Sequence, residues 1–146
     1  MALPAYSYIG NTVLKNIKEQ YIVPSFDPAS ELVIDTIVKD VINKGVKMTW
    51  LIKTETKGVF VTEDQPLLFI EEDPIYEILN YVWRCLADME IGDELVCIDK
   101  EDNLIRETIQ QINKNREEEV WELRINKVNN FITNGCVAST QTEGII

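Results

Sequence analysis

The chain has 146 residues and 45% hydrophobic content, enough for one domain with a sizeable core and too apolar for a disordered segment. Its formal net charge of -11, with the few Lys and Arg scattered among acids, argues against a nucleic-acid partner. It contains no histidine, which excludes a histidine-based hydrolase triad and a histidine metal site. No apolar run approaches the about 18 residues of a membrane span, and no basic, apolar leader opens the chain. The three cysteines, Cys85, Cys97 and Cys136, are odd in number and widely spaced, so they read as small buried hydrophobes in a reducing, cytoplasmic setting. No metal or cofactor is expected, and the chain reads as a monomer.

Strand signals come first along the chain. Asn11-Thr12-Val13-Leu14 and Tyr21-Ile22-Val23 are short β-type runs, the second closed by Pro24. From Ser30, the apolar residues Leu32, Val33, Ile37, Val38, Val41 and Ile42 recur at helical spacing, with Gly45 as a stop signal, and predict a short helix. Residues 50–54 and 58–62 flank Glu55-Thr56-Lys57 and predict a hairpin. Leu67-Leu68-Phe69-Ile70 is a further apolar run. From Pro74, the residues Ile75, Ile78, Leu79, Val82 and Leu86 predict a second short helix. Residues 94–98, 104–106, 108–112, 120–125 and 131–137 complete the strand set, with polar turns between them. The reading is one mostly-β domain with two short helices, spanning residues 1–146.

Four motifs carry a family resemblance. Val120-Trp121-Glu122-Leu123-Arg124-Ile125, followed by Asn129-Asn130-Phe131-Ile132-Thr133-Asn134-Gly135, resembles the C-terminal end of an intein, the self-excising Hint-type domain. There a strand of the form V-Y-D-L-x-V precedes H-N-F-I-x-N-G; here Asn129 stands at the histidine. Val61-Thr62-Glu63-Asp64-Gln65-Pro66-Leu67-Leu68 resembles V-T-x-D-H-P-x-L, with Gln65 at the histidine. The stretch from Trp83 to Val96 resembles W-x-x-A-x-D-L-x-V-G-D-x-V. The opening Ala5-Tyr6-Ser7-Tyr8-Ile9-Gly10-Asn11-Thr12 resembles C-L-S-Y-D/E-T, with extra residues before the Thr. That alignment puts Ala5 where the nucleophilic cysteine belongs and makes residues 1–4 a flanking tail; a second alignment starts at Ser7, a weaker nucleophile.

The resemblance implies an all-β, horseshoe-shaped Hint fold with Trp83, Leu86, Ile91, Leu95, Val120, Leu123, Phe131 and Ile132 in its core. It implies a mini-intein without endonuclease insertion, whose partners are its flanking extein segments. Residues 24–48 match nothing in the family frame and, with the short opening, are similar to phage-type split inteins; a joined split form would have its complementary fragment as a partner. The resemblance also implies roles. Thr62 would hold the N-terminal junction, while Gln65 and Asn129 stand where the family has histidines. For the terminal asparagine two registers remain open. Five residues past Gly135 lies Thr140, with Ser139 penultimate. Alternatively Ala138 is a replaced asparagine and Ser139 the acceptor hydroxyl. About 139–146 is then a second flanking tail. Without nucleophile, proton donor or junction asparagine, the chain reads as an unspliced, inactive intein. The alternative is a degenerate Hint-like domain serving as a structural or interaction module.

Overall fold

The computed structural model describes residues 1–126 and 128–140. The strands, in chain order, are β1 (Leu3–Pro4), β2 (Tyr8–Ile9), β3 (Thr12–Val13), β4 (Ile22–Asp27), β5 (Leu32–Lys53), β6 (Gly58–Val61), β7 (Leu67–Glu72), β8 (Leu79–Arg84), β9 (Glu94–Ile98), β10 (Leu104–Thr108), β11 (Gln111–Ile125), β12 (Asn130–Thr133) and β13 (Cys136–Ser139). One sheet runs β1-β11-β5-β4, with β6 also on β5. The other runs β10-β9-β7-β13-β12-β2-β3, with β8 also on β7. The expected hairpin is present, with Lys53 opposite Gly58 across the turn.

The runs Leu67-Leu68-Phe69-Ile70 and Val96-Cys97-Ile98 have a physical reason. Strand side chains alternate between faces, and here both faces are covered. Leu67, Phe69, Leu95, Cys97, Phe131, Cys136 and Ala138 enter one core with Leu3, Ile52, Val59, Val61 and Leu123. Their neighbours Leu68, Ile70, Val96, Ile98, Ile132 and Val137 enter a second core beneath Phe26. A strand buried on both sides reads as a continuous apolar run rather than an alternating one.

Neither expected helix forms as such. Among the described residues the helical elements are 3-10 turns at Leu14–Asn16 and Leu86–Asp88. The run from Leu32 belongs to β5, a strand of 22 residues pairing β4, β11 and β6 in turn. Val33, Ile34, Thr36, Ile37, Val38, Val41 and Ile42 are β-branched, stiff at χ1, and favour a pleated surface over a helix. Gly45 does not cap a helix. It sits at a bulge, where Val120 faces Gly45 but Trp121 faces Asn43, with a φ of 81° that glycine adopts freely. The run from Pro74 is a turn followed by β8, which pairs along β7 from Glu72↔Leu79 to Leu67↔Arg84. Asp73 Oδ1 fixes that turn by accepting the N–H groups of Ile75 (2.8 Å) and Tyr76 (3.2 Å).

Of the expected core, Leu95, Val120, Leu123, Phe131 and Ile132 are buried. Trp83 and Leu86 are half-buried at its margins. Ile91 is 68% exposed because it belongs to the turn before Gly92, whose φ is 98°. Leu3 and Pro4, read from the sequence as part of a flanking tail, are buried and pair with Trp121 and Val120. Leu3 brings an apolar side chain that the first core absorbs.

The β5–β6 hairpin is tied to β10 by the buried Glu107. Its carboxylate accepts Thr54 Oγ1 (2.6 Å), the Thr56 N–H (2.8 Å) and the Thr56 hydroxyl. Burial pushes this carboxyl up, but the hydrogen bonds from Thr54 and Thr56, with Lys57 nearby, hold it below the usual range. A depressed folded-state value stabilises above the unfolded value of about 4.3, and the contribution disappears as pH falls through the folded value. The melting temperature should therefore drop between neutral pH and strongly acidic pH, and Glu107→Gln should flatten that part of the curve. A Glu107→Gln profile parallel to the parent's would remove Glu107 from the account.

Candidate functional site

Residues 62–66 join β6 to β7 and form the meeting point of both chain ends. The loop is closed by the Gln65 N–H on the Thr62 carbonyl (3.1 Å) and braced by the Leu86 N–H on the Glu63 carbonyl (3.2 Å). The stretch from Trp83 to Val96 thus acts through support: its 3-10 turn holds the loop in place.

The N-terminal segment docks on Thr62. The Ala2 N–H donates to Thr62 Oγ1 (2.9 Å), and the Thr62 N–H donates to the Ala2 carbonyl (3.2 Å). The Thr62 hydroxyl donates in turn to Asp64 Oδ1 (2.7 Å) or to the Ala2 carbonyl (3.3 Å). Asp64 Oδ2 lies 2.5 Å from the backbone nitrogen of Met1. Burial raises the Asp64 carboxyl, but the Met1 ammonium and the Thr62 hydroxyl outweigh it and hold the group below its ordinary value.

The C-terminal segment docks on the far end of the same loop. Gln65 is buried, and its side-chain amide donates to the carbonyls of Ser139 (2.9 Å) and Pro66 (3.0 Å). The Ser139 N–H donates to the Pro66 carbonyl (3.1 Å). The Asn129 carbonyl accepts the Thr140 N–H (2.9 Å) and the Ser139 hydroxyl (3.4 Å). Only Glu63 and Asp64 separate Thr62 from Gln65, so one short loop grips the peptide units at both ends of the domain.

The sequence-predicted residues divide accordingly. Thr62, Gln65, Asn129, Ser139 and Thr140 come together, Asn129 through its backbone oxygen, with an exposed side chain. Ala5 does not join them. It lies three residues beyond Ala2, half-buried, with its carbonyl accepting the Lys15 N–H (3.0 Å). Ser7 is buried beyond β1, its hydroxyl without a hydrogen-bond partner. Ala138 is fully buried in the first core, between Leu67 and Phe131 in register. Gln141 and the rest of the expected C-terminal tail lie outside the described residues.

Sequence reasoning missed Ala2 and Asp64. Asp64 had a signal, as the D of the V-T-x-D motif; Ala2 had none. Asn130 also proves to be a clamp: Oδ1 accepts the Phe26 N–H (2.8 Å) and Nδ2 donates to the Phe26 carbonyl (2.8 Å). Asn134-Gly135, with φ of 48° and 79°, makes the two-residue turn between β12 and β13. Cys97 and Cys136 are buried opposite each other in β9 and β13. Cys85 is half-buried near the loop. Burial first, then the carboxylates of Asp64 and Asp88, push its thiol up and away from the thiolate.

No protein-family model matches this sequence, and no curated protein sequence does. Solved structures do. The chain is similar to a DnaB intein from Synechocystis sp. PCC 6803, with 17% identity, 96% of this chain and 98% of that one covered, and a TM-score of 0.81. It is similar to an intein from a hyperthermophile, with 18% identity, coverage of 94% and 98%, and a TM-score of 0.76. A bacterial intein-like domain from Clostridium thermocellum matches with 14% identity, coverage of 94% and 97%, and a TM-score of 0.73. The chain therefore has the all-β Hint fold of inteins. It has the fold at mini-intein length, since it spans nearly the whole of each of these chains.

Proposed function

We propose that this domain is a protein-splicing element of the mini-intein type, in a form that cannot complete the reaction, with the nucleophile position at Ala2. The observation that carries this reading is the convergence of both chain ends on residues 62–66. Splicing needs that arrangement, because the acyl group leaves one end of the domain and is accepted at the other.

The backbone contacts support Ala2 over Ala5. In a first acyl shift the nitrogen of residue 2 becomes the leaving amine, and that nitrogen rests on Thr62. An alanine has no nucleophile, and Gln65 can donate a hydrogen bond but cannot deliver a proton at neutral pH. At the other end, the contacts support Thr140 as the asparagine position. The preceding carbonyl is held by Gln65, whereas an asparagine at 138 would bury an unpaired amide against Phe131. The flanking extein segments are the partners, and the free cysteines fit a reducing, cytoplasmic setting.

The chain as it stands should remain one species by intact-mass spectrometry after prolonged warm incubation at neutral pH. Ala2→Cys alone, with a reporter fused before Met1, should release that reporter when a free thiol is added, whereas Ala5→Cys should not. Release from the Ala5→Cys chain and none from Ala2→Cys would overturn the assignment.

A further inference from the structure

We propose that Asp64 is a positioning residue for the peptide preceding residue 2, and that the cleft beside it is where that peptide lies; this builds on the splicing reading above. Three observations support it. Asp64 Oδ2 meets the backbone nitrogen of Met1 at 2.5 Å. Its other oxygen accepts the hydroxyl of Thr62, which holds the next peptide nitrogen, so one carboxylate fixes two successive backbone units. And Met1 opens into a cleft of about 660 Å³ walled by Lys44, Lys47 and Trp50 of β5, Lys114 of β11, and Glu63 and Asp64 of the loop.

The chemistry of that cleft fits an extended peptide read by its backbone. Each further residue brings one N–H donor and one carbonyl acceptor that need partners. Lys44, Lys47 and Lys114 supply donors, and Glu63 and Asp64 of the loop with Glu117 and Glu122 of β11 supply acceptors. When the chain continues before Met1, the nitrogen at Asp64 is an amide rather than an ammonium. The contact then needs an acceptor, not a negative charge. Asp64 acts on the N-terminal junction only, since the C-terminal junction hangs from Gln65 and Asn129. A mere structural role, bracing the loop through Thr62, would disturb both ends alike.

The test uses the Ala2→Cys, Thr140→Asn chain with a reporter before Met1, and follows release at both junctions. Asp64→Ala should slow thiol-induced reporter release by about tenfold, while C-terminal release stays unchanged. Asp64→Asn, which keeps an acceptor, should stay close to the parent. Equal slowing at both junctions, or no slowing at either, overturns the assignment. If the Asp64 parent releases nothing at either end, the splicing reading fails, and a second measurement still decides Asp64. In the chain with Ala2 kept and residues added before Met1, the Met1 amide should resist hydrogen exchange, and Asp64→Ala should remove that protection. Equal exchange in the two chains overturns the proposal on its own.

Discussion

Ala2→Cys, Thr140→Asn and Gln141→Ser together, with unrelated domains fused at both ends, should turn an inert chain into one that excises itself and joins the flanking domains. Each change supplies one missing part. The cysteine introduced at 2 provides a thiol of pKa about 8.5, of which a small fraction is thiolate at neutral pH. Its sulfur attacks the carbonyl of residue 1, the C–N bond breaks, and the nitrogen held by Thr62 leaves as an amine with a proton from solvent. A serine at 141 takes the acyl group from the thioester. The asparagine introduced at 140 then closes its side-chain nitrogen onto its own carbonyl, breaking the bond to residue 141. Adding Gln65→His should speed the C-terminal step by about a hundredfold, the scale of a proton donor positioned at the Ser139 carbonyl that residue 65 already contacts. Mass spectrometry of the joined product measures both effects. The same chemistry placed at Ala5 and Ala138 should yield nothing, because neither residue faces the loop and Ala138 is closed in the core. Joined product from that second set alone would return the junctions to those positions. Failure of both sets, with the fold intact, would leave the degenerate interaction module as the better account; the absence of any histidine agrees with that account.

Phe131→Ala should destabilise the domain by about 3–5 kcal/mol, the usual cost of emptying a buried aromatic site. Phe131 is fully enclosed in the first core, and β12 pairs it with Ala138, one residue before the carbonyl that Gln65 holds. The cavity would therefore open beside the C-terminal junction. A urea titration should show a lower midpoint with an unchanged slope. A loss below about 1 kcal/mol would mean that the pocket collapses without cost, and that the core does not rest on this ring.

How far the sequence could be read depended on what each segment's physics left open. The hairpin around Glu55-Thr56-Lys57 and the final strands were legible, because polar turns separate apolar runs there. Residues 32–42 were not. Adjacent apolar pairs at 32–33, 37–38 and 41–42 satisfy a helical spacing, yet they also suit a strand whose two faces are each partly covered. Only their β-branching argued for the strand. The loop of residues 62–66 was found from its motif, and the structure sets Thr62 against Ala2 and Gln65 against Ser139. At the opening, the motif pointed to Ala5, whereas the residue in contact with Thr62 is Ala2. Short strands such as β1 carry too few side chains to fix a register, and Thr62 holds Ala2 through the backbone N–H and carbonyl of Ala2, which leave no trace in the identity of residue 2. Ala138 and Thr140 stayed open for a similar reason: the burial of Ala138 is not written in its residue type.

The position of β13 bears on when such a domain could act during its own synthesis. Residues 136–139 do not add to an edge; they lie between β7 and β12 and touch β9 as well. A ribosome delivers them last among the described strands. Until they emerge, the second sheet has a gap at its centre, Leu67 and Phe131 lack their cross-strand partner Ala138, and Gln65 lacks the Ser139 carbonyl. An earlier fragment can form hairpins but not the reactive pocket. The fold thereby makes synthesis of the domain through residue 139 a condition for cutting, so that a restored version of this domain could not sever the preceding host segment while β13 had yet to be made.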